Sequence, residues 1–264
     1  MRTKSAITTG VVAVLFVAYL TVVTGFVSRE RQHIRCRAIR VTIGDSAVNR
    51  FVDAAAVRRL LDYENLTLLG TPVDRINTRQ IEATLQAQPV VREAQACTSI
   101  DGVLHIRVGQ RRPVLRVLAE QGSFYIDETG CIFPFSPDYT SYVPVVTGRI
   151  TPSFKAGYTG DIPERDYFLK QLYAFGLFLE RSDFWRAQVL QIHVKNPRDI
   201  EIIPRVGNQL IKLGSLEQYE YKLKKLYAFY REALPREGWE RFSKFDLRYG
   251  NQVVATRRAS RTTG

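Results

Sequence analysis

The side chains best able to make or break bonds are few in this 264-residue chain, and they are scattered. His33, His105 and His193 stand far apart, and Cys36, Cys97 and Cys131 form no CxxC. Neither a dense disulfide scaffold nor a cysteine-rich metal knot fits that spacing. There is no GxSxG elbow, no glycine-rich phosphate loop and no HExxH helix. Asp127 and Glu128 are adjacent carboxylates, but Asp-Glu-Thr-Gly is also an ordinary turn, and adjacency does not set the separation that acid/base hydrolysis requires. His105 falls on the outward side of an alternating strand with no spaced partner ligand. The expectation is a chain without catalytic residues, cofactor or metal.

Charge points to no nucleic-acid groove. The excess of 38 Lys and Arg over 26 Asp and Glu gives +12, but Arg2, Lys4, Arg257, Arg258 and Arg261 supply five of these charges from the two ends, and the rest is spread out. Lys222, Lys224 and Lys225 lie near Tyr221 and Tyr227, yet that helix needs its tyrosines to cover apolar neighbours. Without a stacking platform or a dense basic stripe, no specific nucleic acid is expected.

The elements that position everything else begin with an anchor. Ser5 to Ser28 contains no charged residue and no His, and Val11 to Val27 is apolar on every helical face. A membrane crossing needs roughly 20 such residues. The sequence therefore predicts a transmembrane helix at 6–27, with threonines such as Thr21 returning their hydroxyls to helix carbonyls. Residues 1–5 form a short tail before it and 28–37 a juxtamembrane linker. The arginines after the helix (Arg29, Arg31, Arg35, Arg37 and Arg40) outnumber Arg2 and Lys4 before it, so a simple Lys/Arg count favours the carboxyl side facing inward.

Residues 38–110 read as a β-α-α-β-β unit. Ile39, Val41 and Ile43 alternate, Asp53 caps a first helix, and Asn77 or Thr78 caps a second carrying Ile81 and Leu85. Asp101-Gly102 turns the chain into Leu104, Ile106 and Val108. Residues 111–256 read as a larger strand-rich unit: a helix from near Pro163 with Phe168, Leu172, Phe175 and Leu179 on one face, a strand with Leu190, Ile192 and Val194 on one face, and a helix opened by a Ser215/Gln218 capping box. Phe245, Leu247 and Tyr249 alternate as the first of two closing strands, and 257–264 is a basic tail.

In order behind one membrane helix, several runs carry a resemblance. They are Leu104-His105-Ile106-Arg107-Val108 before Arg112-Pro113-Val114, Phe124-Tyr125-Ile126-Asp127-Glu128-Thr129-Gly130, Ile203-Pro204-Arg205-Val206-Gly207, Lys222-Leu223-Lys224-Lys225-Leu226 and Phe245-Asp246-Leu247-Arg248-Tyr249-Gly250-Asn251-Gln252-Val253-Val254. Together the chain resembles the FtsQ/DivIB family of bacterial cell-division proteins, in a Bacteroidetes-like form. The resemblance implies a POTRA-like domain at 38–110 and an FtsQ-type β domain at 111–256. It implies a non-catalytic scaffold in the inner membrane at the division site, its amino terminus cytoplasmic and the large portion periplasmic. Its partners would be FtsB-like and FtsL-like bitopic proteins, other divisome components through the POTRA-like domain, and membrane lipid. The implied partner-binding region is Asp246, Leu247, Arg248, Tyr249, Gln252, Val253 and Val254, backed by Leu223, Leu226 and Tyr230, with Tyr249 the foremost contact. A POTRA-bearing component of envelope protein transport or assembly is the alternative.

Overall fold

Alternating apolar strands and locally capped helices recur in the computed structural model, which describes residues 15–22, 34–44, 51–64, 66–135 and 139–258. They divide into two compact units, between Gln110 and Arg111. Residues 15–22 are helical (α1) and exposed all round, and Thr21 Oγ1 donates to the carbonyls of Val17 and Ala18 at 3.0 and 2.8 Å. Among the described residues no helix is long and apolar enough to cross a membrane. The remainder of the expected span, 6–14 and 23–27, lies outside the described residues, as does His33.

The first unit runs β1 (Ala38–Ile43), α2 (Ala54–Tyr63), α3 (Thr78–Gln86), β2 (Val91–Thr98) and β3 (Val103–Gln110), with sheet order β1-β3-β2. β1 lies parallel to β3, so the chain must cross over between them, and α2 and α3 lie in that crossover. Asp53 accepts from Ala56 N at 2.6 Å and Asn77 from Gln80 N at 3.1 Å, each satisfying an orphan amide at a helix start. Val57, Leu61, Ile81 and Leu85 from the helices pack with Leu104, Ile106 and Val108 of β3. On β2, Glu82 of α3 accepts from Ala96 N at 2.7 Å and Gln86 Nε2 donates to Ala94 O at 3.3 Å. Helix side chains thus occupy backbone groups that an edge strand would otherwise offer to another chain.

The second unit is organised on a 10-stranded sheet, order β13-β12-β11-β10-β9-β7-β4-β5-β6-β8. Its strands are β4 (Pro113–Ala119), β5 (Gly122–Asp127), β6 (Cys131–Pro134), β7 (Val145–Gly148), β8 (Gly160–Asp161), β9 (Val189–Asn196), β10 (Asp199–Pro204), β11 (Leu210–Gly214), β12 (Phe242–Asp246) and β13 (Val254–Arg257). Helices α4 (Tyr167–Arg181), α5 (Asp183–Gln188), α6 (Tyr219–Glu232) and α7 (Leu234–Glu237) interrupt them. One apolar core joins Leu172, Phe175 and Leu179 of α4 and Leu223, Leu226 and Tyr230 of α6 to inward strand residues such as Leu115, Ile192, Ile202 and Phe245. Gly176 lets α4 come close: a Cβ there would stand 2.6 Å from Leu115 Cγ.

Four local readings need correction. The helix expected from Pro163 begins at Tyr167, because Asp161 belongs to β8 and the Asp166 carboxylate is engaged by Ser153 N and Oγ; Leu169 is buried on the core face and Phe168 only partly. The Ser215/Gln218 capping box does not form. Gln218 takes a left-handed φ of 52° without a side-chain cap, and the Ser215 carbonyl accepts from Lys222 Nζ at 2.9 Å. Leu190 is 42% exposed and does not share the buried face of Ile192 and Val194. β10 pairs Ile203 with Gln191 and Pro204 with Val189, so Leu190 is the extra residue of a bulge and turns outward. The closing strand is Phe242–Asp246, so Leu247 and Tyr249 lie beyond it.

Candidate functional site: an open sheet edge

The adjacent carboxylates of the turn after β5 have structural partners. Asp127 is buried; its Oδ1 accepts from Thr129 N, Thr129 Oγ1 and Cys131 N at 2.8, 2.6 and 2.9 Å, and its Oδ2 from Arg111 Nη1 at 2.8 Å. Glu128 faces Arg112 at 3.8 Å. His105 is partly buried on β3, in register with Arg40 and Cys97. His193 Nδ1 lies 3.1 Å from Thr147 Oγ1.

The end of the large sheet is different. β12 joins β11 in parallel, and β13 pairs antiparallel to β12 with Asp246 opposite Val254, Phe245 opposite Ala255 and Lys244 opposite Thr256. Among the described residues β13 has no neighbour on its outer side. Arg258 N donates to Arg241 O at 2.7 Å, and Thr256 O accepts from Ser243 Oγ at 3.3 Å. Backbone groups alternate along an antiparallel strand, so those of Ala255 and Arg257 point to the open side.

The connection from 247 to 253 is held from two directions. Asp246, almost fully buried, accepts from Arg248 N at 3.2 Å, which turns the chain out of the strand, and from Arg248 Nε and Nη2 at 2.9 and 2.7 Å. From α6, Lys225 Nζ donates to the carbonyls of Tyr249 and Gly250 at 2.7 and 2.6 Å, and Tyr221 OH to Asn251 Oδ1 at 3.3 Å. Burial lowers the Lys225 pKa. Tyr249 therefore stands on a braced loop, 48% exposed. Beside it, Arg198, Lys222 and Arg248 surround a shallow hollow with Gly214, Ser215 and Glu217. Lys222 has its pKa lowered, chiefly by burial, as it donates to Ser215.

The expected contact residues separate accordingly. Arg248, Tyr249, Gln252 and Val254 are exposed and Val253 partly so. Leu223, Leu226, Tyr230 and Leu247 are buried in this unit's own core and support the edge from behind, and Asp246 is spent on Arg248. Strand parity does not set Arg248 against Tyr249, since both lie in the connection. The Lys225 brace and the cationic hollow carry no signal in the sequence beyond the Lys-rich face of α6.

Burial of Asp246 opposes its ionisation, but the Arg248 hydrogen bonds and charge, aided by Lys212, outweigh it and hold the carboxyl below its ordinary value. A depressed carboxylate stabilises the fold above its unfolded pKa of about 4 and loses that contribution as pH falls through the lower folded value. Asp246→Asn should therefore be less stable than the parent at pH 7, with the gap closing toward pH 2, as read by urea unfolding at both values. A gap that stays constant with pH would sink this assignment.

A β-α-α-β-β unit followed by a strand-rich unit on an open 10-stranded sheet, with β13 at one end and the two-residue β8 at the other, defines a two-unit module of mixed α and β structure. Residues 34–109 match the POTRA-like domain family, and residues 112–256 match the family described as FtsQ/DivIB, C-terminal related. The chain belongs to the FtsQ/DivIB family. It is also similar to the cell division protein FtsQ of Rhodothermus marinus, 26% identical over 233 residues that cover 86% of this chain and 81% of that protein.

Proposed function

We propose that this chain is a non-catalytic scaffold of cell division, carried by the inner membrane, that receives a strand of an FtsB-like partner on the outer side of β13. Together with an FtsL-like protein, that complex links divisome assembly to septal peptidoglycan synthesis. The observation that carries the reading is the open edge at Ala255 and Arg257 beside the exposed Tyr249. Strand addition supplies affinity through main-chain hydrogen bonds, while side chains at the rim set register. The hollow among Arg198, Lys222 and Arg248 suits an acidic side chain of that partner. Family membership and the name of the Rhodothermus relative support the division role.

Helix α1, apolar and exposed on all sides, is read as part of a span over 6–27, with residues 1–5 cytoplasmic and the two units periplasmic. That orientation runs against the Lys/Arg count and follows the family's anatomy. The test is affinity purification of the full-length chain from its native membrane, with cysteine labelling from each side. Recovery of FtsB-like and FtsL-like proteins, and labelling of the large units only from outside, are the expected results. Recovery of a transport pore without them would favour the envelope-transport alternative.

A further inference from the structure

The chain enters the first unit between two loops. Cys36 N donates to Thr71 O and Gly70 N to Cys36 O, at 2.9 and 2.7 Å, on one side; Arg37 N donates to Gly102 O at 2.8 Å on the other. Gly102 has φ +78°, and a Cβ there would stand 2.5 Å from the Arg35 carbonyl oxygen, so the β2–β3 hairpin tip is pressed directly onto the entering strand. α2 descends to the same end: Val52 N, before it, bonds Gln110 Oε1 at the far end of β3, whereas Arg58 reaches the carbonyl of Ile39. Tyr63, the last residue of α2, therefore belongs to the pole where β1 begins.

Among the described residues from 34 to 110, the large apolar side chains that stand exposed are Tyr63, Leu69 and Ile100, at 81%, 59% and 81%. All three lie at this entry pole. The hairpin tip is tied off in its polar groups, Ser99 Oγ donating to Asp101 and Asp101 pairing with Arg37 at 3.1 Å, which leaves Ile100 outermost. Within 29–37 the sequence places Arg29, Arg31, Arg35 and Arg37 against a single acid, Glu30, while Asp62 and Glu64 flank Tyr63. The twelve steps from Val22 to Ile34 reach at most about 40 Å, so the pole cannot stray far from the end of α1.

We propose that this pole rests on the membrane surface, with Leu69 and Ile100 inserted at the headgroup–acyl boundary and Tyr63 at headgroup level. The proposal rests on the reading of α1 as part of a membrane span. Confinement of exposed apolar bulk to the one end tethered to an apolar helix, through a segment whose sequence is basic, selects a lipid surface over a protein groove.

The test uses full-length protein with Cys97→Ser, since Cys36 and Cys131 are buried. Single cysteines replace Val17, Leu69, Ile100 or Ala87 and carry an environment-sensitive dye. Ala87 follows α3 beside the far ends of β2 and β3. In phosphatidylcholine–phosphatidylglycerol vesicles with brominated acyl chains, the dyes at 69 and 100 should be quenched roughly threefold more than at 87. Strong quenching at 17 with 69 and 100 no different from 87 would overturn the surface contact while leaving the span intact. Dyes at 69 and 100 shielded from both bromolipid and aqueous iodide would overturn it in favour of a protein surface such as a second copy. Absence of quenching at 17 would remove the span, and the proposal with it.

Discussion

Phe245→Ala should lower the stability of the second unit by about 3–5 kcal/mol, the largest effect expected of any single substitution near the edge. Phe245 is fully buried on β12, its ring 5.3 Å from that of Phe229 and 5.8 Å from those of Tyr230 and Phe242. Truncation removes apolar burial and these ring contacts together, and the rigid sheet around it cannot close the void. Since β12 is the one strand that pairs with β13 among the described residues, partner affinity should fall with it. Denaturant unfolding of Phe245→Ala and Phe245→Leu checks this. The leucine variant, which keeps most of the volume, should lose far less, and a loss under about 1 kcal/mol for alanine would refute the role given to this ring.

Ala255→Pro should do the reverse, sparing the fold while removing the partner. Its N–H faces the open side, so proline removes no bond to β12, whereas an incoming strand loses a donor and meets the ring. A lost hydrogen bond plus a stranded acceptor on the partner amounts to roughly 2–4 kcal/mol, or about 30- to 1,000-fold in affinity. Thr256→Pro, whose backbone belongs to the β12 pairing, should instead destabilise the unit itself. Binding of purified protein to an FtsB-like partner, with a melting curve for each variant, separates the two. Parent-like affinity in a folded Ala255→Pro protein would remove β13 as the docking edge.

Much of the local architecture is legible in the residues because it is set locally. Asp53 and Asn77 cap helices that begin at the next residue, and Leu104, Ile106 and Val108 form the buried face their alternation predicts. What is not legible is set at long range or by one competing contact. The parallel pairings of β4 with β7, β7 with β9 and β11 with β12 join strands distant in sequence, and nothing in either strand specifies its neighbour. The alternation of Phe245, Leu247 and Tyr249 continues past the strand, but the Asp246 carboxylate captures Arg248 N and ends it. Lys225 looks like an ordinary solvated lysine on α6, and only the fold shows that it grips the carbonyls of Tyr249 and Gly250.

The parallel joint between β11 and β12 also sets an order of events. A parallel neighbour cannot be added by a hairpin, so β12 reaches β11 only after the chain has passed through α6 and α7, and β13 only after β12. Residues 242–257 follow every other strand of the large sheet in the chain, so they can pair only after those strands have been made. The outer edge of β13 is consequently complete only when the rest of the large sheet is. A molecule cut before β13 has no such edge, and the docking proposed above would be restricted to chains whose large sheet has already formed.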